Sequence, residues 1–146
     1  FATERSKYLR DLGIPLNTDS TLKGQTIFLA ERCSELMREN VITDRTVIDV
    51  MAFAHCAESI DEDQKEEFIN YASAFIPEYD YIFYVSPVGV QIEDNGVRET
   101  DAEYRDKIDL TIKHAVKEAL PYITNFGIIS GTTEQRIEQV KYYLGL

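Results

Sequence analysis

The stretch NVITDRTVIDVMAF, Asn40 to Phe53, decides the fold. Val41–Thr43 reads as a short strand, and TVIDVMAFAHCA, starting near Thr46, has the length and mixed apolar character of a largely buried helix. Strands followed by helices call for crossover connections, which is how parallel sheets are built. Asp44 and Arg45 put two opposite charges at the corner between strand and helix. One reading is structural, because Asp is a favoured helix N-cap. The other is that the corner faces a ligand, since open α/β sheets bind ligands beyond the carboxyl ends of their strands.

Working outward, TERSKYLRDLG reads as a short helix stopped by Gly13, and IPLNTDST supplies the turn formers Pro15, Asn17 and Asp19. From Leu22 to Asn40 the spacing predicts a long amphipathic helix with Leu29, Cys33, Leu36 and Met37 inside. Glu31, Arg32, Glu35 and Arg38 are expected on its solvent face. Beyond the corner, SIDEDQKEEFINYASAFI predicts a helix capped by Ser59 or Asp61, with Phe68, Ile69, Ala72 and Ile76 on one side. YDYIFYVSP is apolar on both parities, as expected of a strand buried on both faces and ended by Pro87. A polar segment follows, then YRDKIDLTIKHAVKEAL with Ile108, Ile112, Ala115, Val116 and Ala119 on a helical stripe. FGIIS reads as a strand, Gly131 as a turn, and TTEQRIEQVKYYL as a helix capped by Thr132 or Thr133, with Ile137, Val140 and Leu144 inward. The class is therefore α/β in a single domain over residues 1–146.

A net charge of −11, from 26 acidic and 15 basic residues, disfavours general nucleic-acid binding, which needs clustered cations. No run approaches the roughly twenty apolar residues of a membrane span, and the charged FATERSKYLR is unlike a signal peptide. Cys33 and Cys56 lie in apolar-periodic segments without metal-ligand spacing. They are expected as reduced core residues of a cytoplasmic protein.

Three segments follow predicted strands: Asp44–Arg45, the loop from Pro87 to Glu99, and Gly131–Thr132–Thr133. Glu4 joins them if Phe1 ends a further strand. Each has a structural reading. Glu4 can be a helix-start acid, Arg98 and Arg105 solvated surface residues, and the threonines simple caps. His55 and His114 receive no role. Phe68, Tyr71, Phe75 and the tyrosines at 79, 81 and 84 read as core and crevice wall. Arg98 and Arg105, seven positions apart around a Gly-containing segment, suit a lid closing over an anion.

VITDRTVIDVMAF, YDYIFYVSPVGVQIEDNGVRETDAEYRDKID and IISGTTEQRIEQVKYYL, in that order and spacing, resemble the P-loop nucleoside and nucleotide kinase-like ATPase domains, related to ribosylnicotinamide kinases and more distantly thymidylate kinases. The resemblance runs from about Glu4 to the C-terminus. It implies a three-layer fold with a parallel sheet flanked by helices and a lid at about 88–105. It further implies an ATP-dependent, Mg²⁺-dependent phosphotransferase for a small nucleoside- or nucleotide-like acceptor. Asp44 would hold the water shell of Mg²⁺ or help deprotonate the acceptor, Arg45 would bind the acceptor or its phosphate, and Glu4 would be the candidate base for the acceptor hydroxyl. Arg98 and Arg105 would neutralise the transferring phosphoryl group, and Gly131, Thr132 and Thr133 would border the adenine.

The chain departs from the group at Asn95–Gly96, where Asp-Gly is usual before the lid arginine, and in offering Lys7 or Arg10 where the first helix carries arginine. No Gly-x-x-x-x-Gly-Lys-Ser/Thr occurs in the 146 residues. The expectation is that the first strand and phosphate loop lie outside the sequence shown, belong to another chain, or have been lost, and that this chain alone is inactive. Rival expectations are an ATPase driving a conformational or assembly step and a non-catalytic acidic interaction domain. Oligomeric state is left open, a homo-oligomer included.

Overall fold

The computed structural model describes residues 6–87 and 102–146. Its main elements run α1 (Ser6–Asp11), α2 (Leu22–Leu36), α3 (Val47–Cys56), α4 (Glu62–Ser73), β1 (Ile82–Val85), α5 (Ala102–Ala119), β2 (Phe126–Ile129) and α6 (Thr133–Leu144). The α3 helix is apolar nearly all round, and such a helix must be enclosed. It packs against α2, α4 and α5, and Val47, Ile48, Val50, Met51 and Ala54 form the middle of the core.

The α4 and α5 helices follow their sequence patterns. Asp61 caps α4, its carboxylate accepting from the Asp63 and Gln64 amides, and Phe68, Ala72 and Ile76 are buried. Lys65 on α4 is buried and donates to the His55 carbonyl at 3.1 Å, placing a cation at the C-terminal end of α3 where the helix dipole favours one. On α5, Ile108, Val116 and Ala119 are buried, and Ile112 and Ala115 are partly so.

The α2 helix buries a different face from the one its apolar spacing predicts. Arg32 and Glu35, expected on the solvent face, are 1% and 8% exposed, whereas Met37, expected inside, is 87% exposed. The helix ends at Leu36 rather than Asn40. Its buried residues Gln25, Phe28, Leu29, Arg32 and Glu35 form a helical stripe rotated from the one that the apolar residues Cys33 and Met37 suggest. Arg32 Nη2 donates to Glu35 Oε1 at 2.6 Å. Arg32 Nε and Glu35 Oε2 are buried without a hydrogen-bond partner among the described residues. Burial raises the Glu35 acid above its ordinary value, with the Arg32 hydrogen bond and charge opposing the shift.

Val41–Thr43 forms no strand; Thr43 makes a single bridge. Asn40 at φ 53° and Arg45 at φ 82° bracket the segment with left-handed backbone, which interrupts extended structure on both sides. The sheet among the described residues is β1 paired in parallel with β2, Ile82 opposite Phe126 and Val85 opposite Ile129. Two strands make a smaller sheet than a three-layer arrangement implies, while the α/β class stands. Nor is β1 buried on both faces: Ile82 is in the core, but Val85 is 44% exposed. A strand with one described neighbour lacks the flanking cover that the apolar run anticipates.

Faces alternate along β1, so Ile82 turns into the core while Phe83 lies 5.5 Å from the Tyr143 ring of α6. Gly127 is required by that approach, since a Cβ there would sit 2.7 Å from Tyr143 Cζ. Ile137, Val140 and Leu144 do not face inward as their spacing suggests: Ile137 is 49% exposed and α6 buries no residue. The short two-stranded patch engages α6 through Tyr143 instead. Tyr71 is likewise outside the core, at 64% exposed, edge-on to Phe75. Cys56 is buried, Cys33 is half-buried, and both are free thiols. Among the described residues no helix is long and apolar enough to cross a membrane.

Candidate functional site at the corner before α3

Asp44 does not cap α3. Thr46 does, accepting from the Ile48 amide at 3.0 Å, while the Asp49 carboxylate takes the Thr46 N–H at 2.8 Å to close a capping box. The buried Val47 N–H donates to the Tyr79 hydroxyl at 3.1 Å, which anchors the helix start to another member of the core cluster. Burial pushes the Tyr79 phenol up from its ordinary value, with the Val47 hydrogen bond opposing. With capping assigned elsewhere, Asp44 is exposed and its carboxylate has no ion-pair partner among the described residues.

Arg45 sits at φ 82°, an uncommon conformation for a side chain with a Cβ. Thr43 Oγ1 donates to its carbonyl at 2.9 Å and helps hold it there. The half-buried guanidinium lies 5.1 Å from the centroid of the Phe53 ring. No carboxylate among the described residues pairs with it, although acids outnumber bases 26 to 15 in the chain.

Phe53 packs against the cluster of Cys56, Tyr104 and Ile108. The corner and the start of α5 are thereby brought to one neighbourhood, and Arg105 follows Tyr104 there. Arg105 lies in the first turn of α5 rather than on a loop, half-exposed, with Nε 3.8 Å from Asp106 Oδ1. That ion pair is loose and contributes little. Glu4, Arg98 and residues 88–101 of the expected lid lie outside the described residues.

The Gly131 turn is built on α6. Gln139 accepts from the Ser130 N–H at 3.0 Å and donates to the Ser130 carbonyl at 2.9 Å, and Arg136 Nε donates to the Gly131 carbonyl at 2.8 Å. Thr132 is the N-cap of α6, with Gln135 completing a capping box, and Thr133 is the first helical residue, exposed. Ser130, Gly131, Glu134, Gln135, Glu138 and Gln139 line an open groove. Gly131 stands at φ 95°, and a Cβ there would come within 2.2 Å of Gln135 Oε1, the atom that accepts from Thr132 N. Gly131→Ala is therefore expected to lower stability by about 1–2 kcal/mol, through backbone strain and a broken cap. Thermal melts of the two proteins check it.

One polar cluster was not anticipated from the sequence. The Tyr84 hydroxyl on β1 donates to the Asp109 carboxylate on α5, and Lys113 Nζ lies 3.1 Å from Asp109 Oδ2. Burial, reinforced by Asp109, raises the Tyr84 phenol above its usual range. The i, i+4 spacing of Asp109 and Lys113 was the available signal. His114, given no role, pairs with Glu118 at 3.1 Å on the surface of α5.

Among the described residues no group of three or more His, Cys, Asp or Glu could enclose a metal. Mg²⁺ needs less, commonly one or two carboxylates completed by water and phosphate oxygens, and the unpaired Asp44 carboxylate suits that role.

A short parallel sheet with α6 packed on β2, and a charged corner opening into a buried helix, make an α/β domain. A family model described as AAA domain matches residues 9–136, and the chain belongs to that family of P-loop NTPases. No curated protein and no solved structure matches the chain.

Proposed function

We propose that the chain provides the acceptor side of a phosphotransfer site, at which the γ-phosphate of ATP passes to a small nucleoside- or nucleotide-like acceptor with Mg²⁺. The observation that carries this reading is the corner before α3: a strained Arg45 with an unpaired guanidinium, next to an Asp44 that caps nothing. Backbone strain is retained where the surrounding structure enforces it, and such positions concentrate at functional sites. In this reading Asp44 orients the water shell of Mg²⁺ and Arg45 binds the acceptor or its phosphate. Glu4 removes the acceptor proton, Arg98 and Arg105 neutralise the transferring group, and Gly131, Thr132 and Thr133 border the base. Positioning and electrostatics of this kind supply most of the rate in phosphoryl transfer. The 146 residues contain no Gly-x-x-x-x-Gly-Lys-Ser/Thr, so none of them is assigned to the backbone cradle and lysine that hold a triphosphate.

The test is incubation of the full-length protein with γ-labelled ATP, Mg²⁺ and a panel of nucleosides and nucleotides. Label in a small-molecule acceptor is expected. Release of free phosphate with no labelled acceptor would instead support the second reading, an ATPase driving a conformational or assembly step, which membership of the AAA-domain family favours. Arg98→Ala is expected to lower turnover by about a hundredfold, as removal of a donor to developing charge does, with the thermal midpoint nearly unchanged. A matching collapse of the midpoint would mark a structural arginine.

A further inference from the structure

We infer that Phe53 is the positioning residue for anion capture at Arg45, a conclusion that rests on the reading of Arg45 as the acceptor-binding arginine. A guanidinium can be oriented in two ways. A carboxylate partner would fix it but would also cancel the charge an incoming anion needs. An aromatic face orients a cation through its quadrupole and leaves that charge unneutralised. Arg45 is held in the second way, with Cζ 5.1 Å from the Phe53 centroid and no carboxylate partner among the described residues.

The ring is itself fixed. Phe53 projects from α3 and packs against Cys56, Tyr104 and Ile108, so its orientation is set jointly by α3 and the first turns of α5. The main chain of Arg45 is fixed independently by Thr43 and by the capping box that follows. With both ends constrained, the guanidinium is preorganised, and an anion binds it without first ordering a long side chain. The anion recognised is one that accepts a planar fork of N–H donors, which phosphate oxygens do. Because Phe53 leans on α5, any shift of the first turns of α5 also moves the platform under Arg45.

The experiment measures binding of inorganic phosphate to the full-length protein by calorimetry at low ionic strength, for wild type, Phe53→Leu, Phe53→Tyr and Arg45→Gln. Phe53→Leu is expected to weaken phosphate three- to tenfold, as loss of a half-buried cation–π contact should, and Phe53→Tyr is expected to bind within twofold of wild type. A merely structural ring would not show this dependence on aromaticity at equal thermal midpoints. If Phe53→Leu fails to fold, Phe53→Met, of similar volume, takes its place. Phosphate binding unchanged in Phe53→Leu but lost in Arg45→Gln overturns the inference and leaves the reading of Arg45 standing. Binding unchanged in Arg45→Gln, or absent from the wild type, overturns both.

Discussion

Arg32→Met is expected to lower the stability of the domain by about 3–5 kcal/mol, because it strands the buried Glu35 carboxylate without its partner. Arg32 and Glu35 are both buried on α2, joined by one hydrogen bond, with Arg32 Nε and Glu35 Oε2 unsatisfied among the described residues. A pair so incompletely solvated by protein gains less from its mutual attraction than it loses by leaving water. The double variant Arg32→Met/Glu35→Leu is accordingly expected to recover most of the loss, and urea unfolding of the three proteins measures it.

The same pair has a pH signature. Burial raises the Glu35 acid above its ordinary value of 4.5, so the folded state keeps this proton to higher pH than the unfolded chain. The stability it contributes is complete below that ordinary value and is lost as pH rises through the folded one. Wild type should therefore lose stability relative to Glu35→Gln as the pH is raised from acid toward neutrality.

Arg45→Gly is expected to act in opposite directions on fold and function. Glycine adopts φ 82° without the steric cost borne by arginine, so the variant should gain about 1 kcal/mol of stability. Its phosphotransfer should fall by about a hundredfold, because the acceptor loses the guanidinium that positions it. A gain in melting temperature with a loss of acceptor labelling is the pattern of a strained functional residue. A loss of both would make Arg45 part of the scaffold.

Much of the helical framework was legible because periodicity and side-chain character agree there. On α4 and α5 the apolar residues mark the buried face, and Asp61 and Thr132 announce their helices as polar caps before an apolar-periodic run. The reading failed where the two signals part. On α2 the buried stripe includes Gln25, Arg32 and Glu35, polar residues whose place in the core depends on what α3 and Tyr79 present to them. Val41–Thr43 has strand composition, but the left-handed residues on either side of it are set by tertiary structure. At the corner, the sequence offered Asp44 as the obvious cap, and only the hydrogen bonds transfer that role to Thr46 and Asp49. The charged pair itself was visible from the start. Its most telling properties, a strained backbone and a guanidinium resting on Phe53, were not, because Phe53 lies eight positions further along and meets Arg45 only in the folded chain.

Asp44 and Arg45 are proposed to face the place of phosphoryl transfer, Asp44 toward Mg²⁺ and Arg45 toward the acceptor or its phosphate. The most direct test is a structure of the full-length protein with ADP, Mg²⁺ and a metal-fluoride mimic of the phosphoryl group. Asp44 is expected at the water shell of Mg²⁺ and the Arg45 guanidinium at the acceptor or its phosphate, with Arg98 and Arg105 on the phosphoryl mimic. Nucleotide and metal bound elsewhere, with Asp44 in open solvent and Arg98 directed away from it, would rule out a phosphotransfer site at this corner.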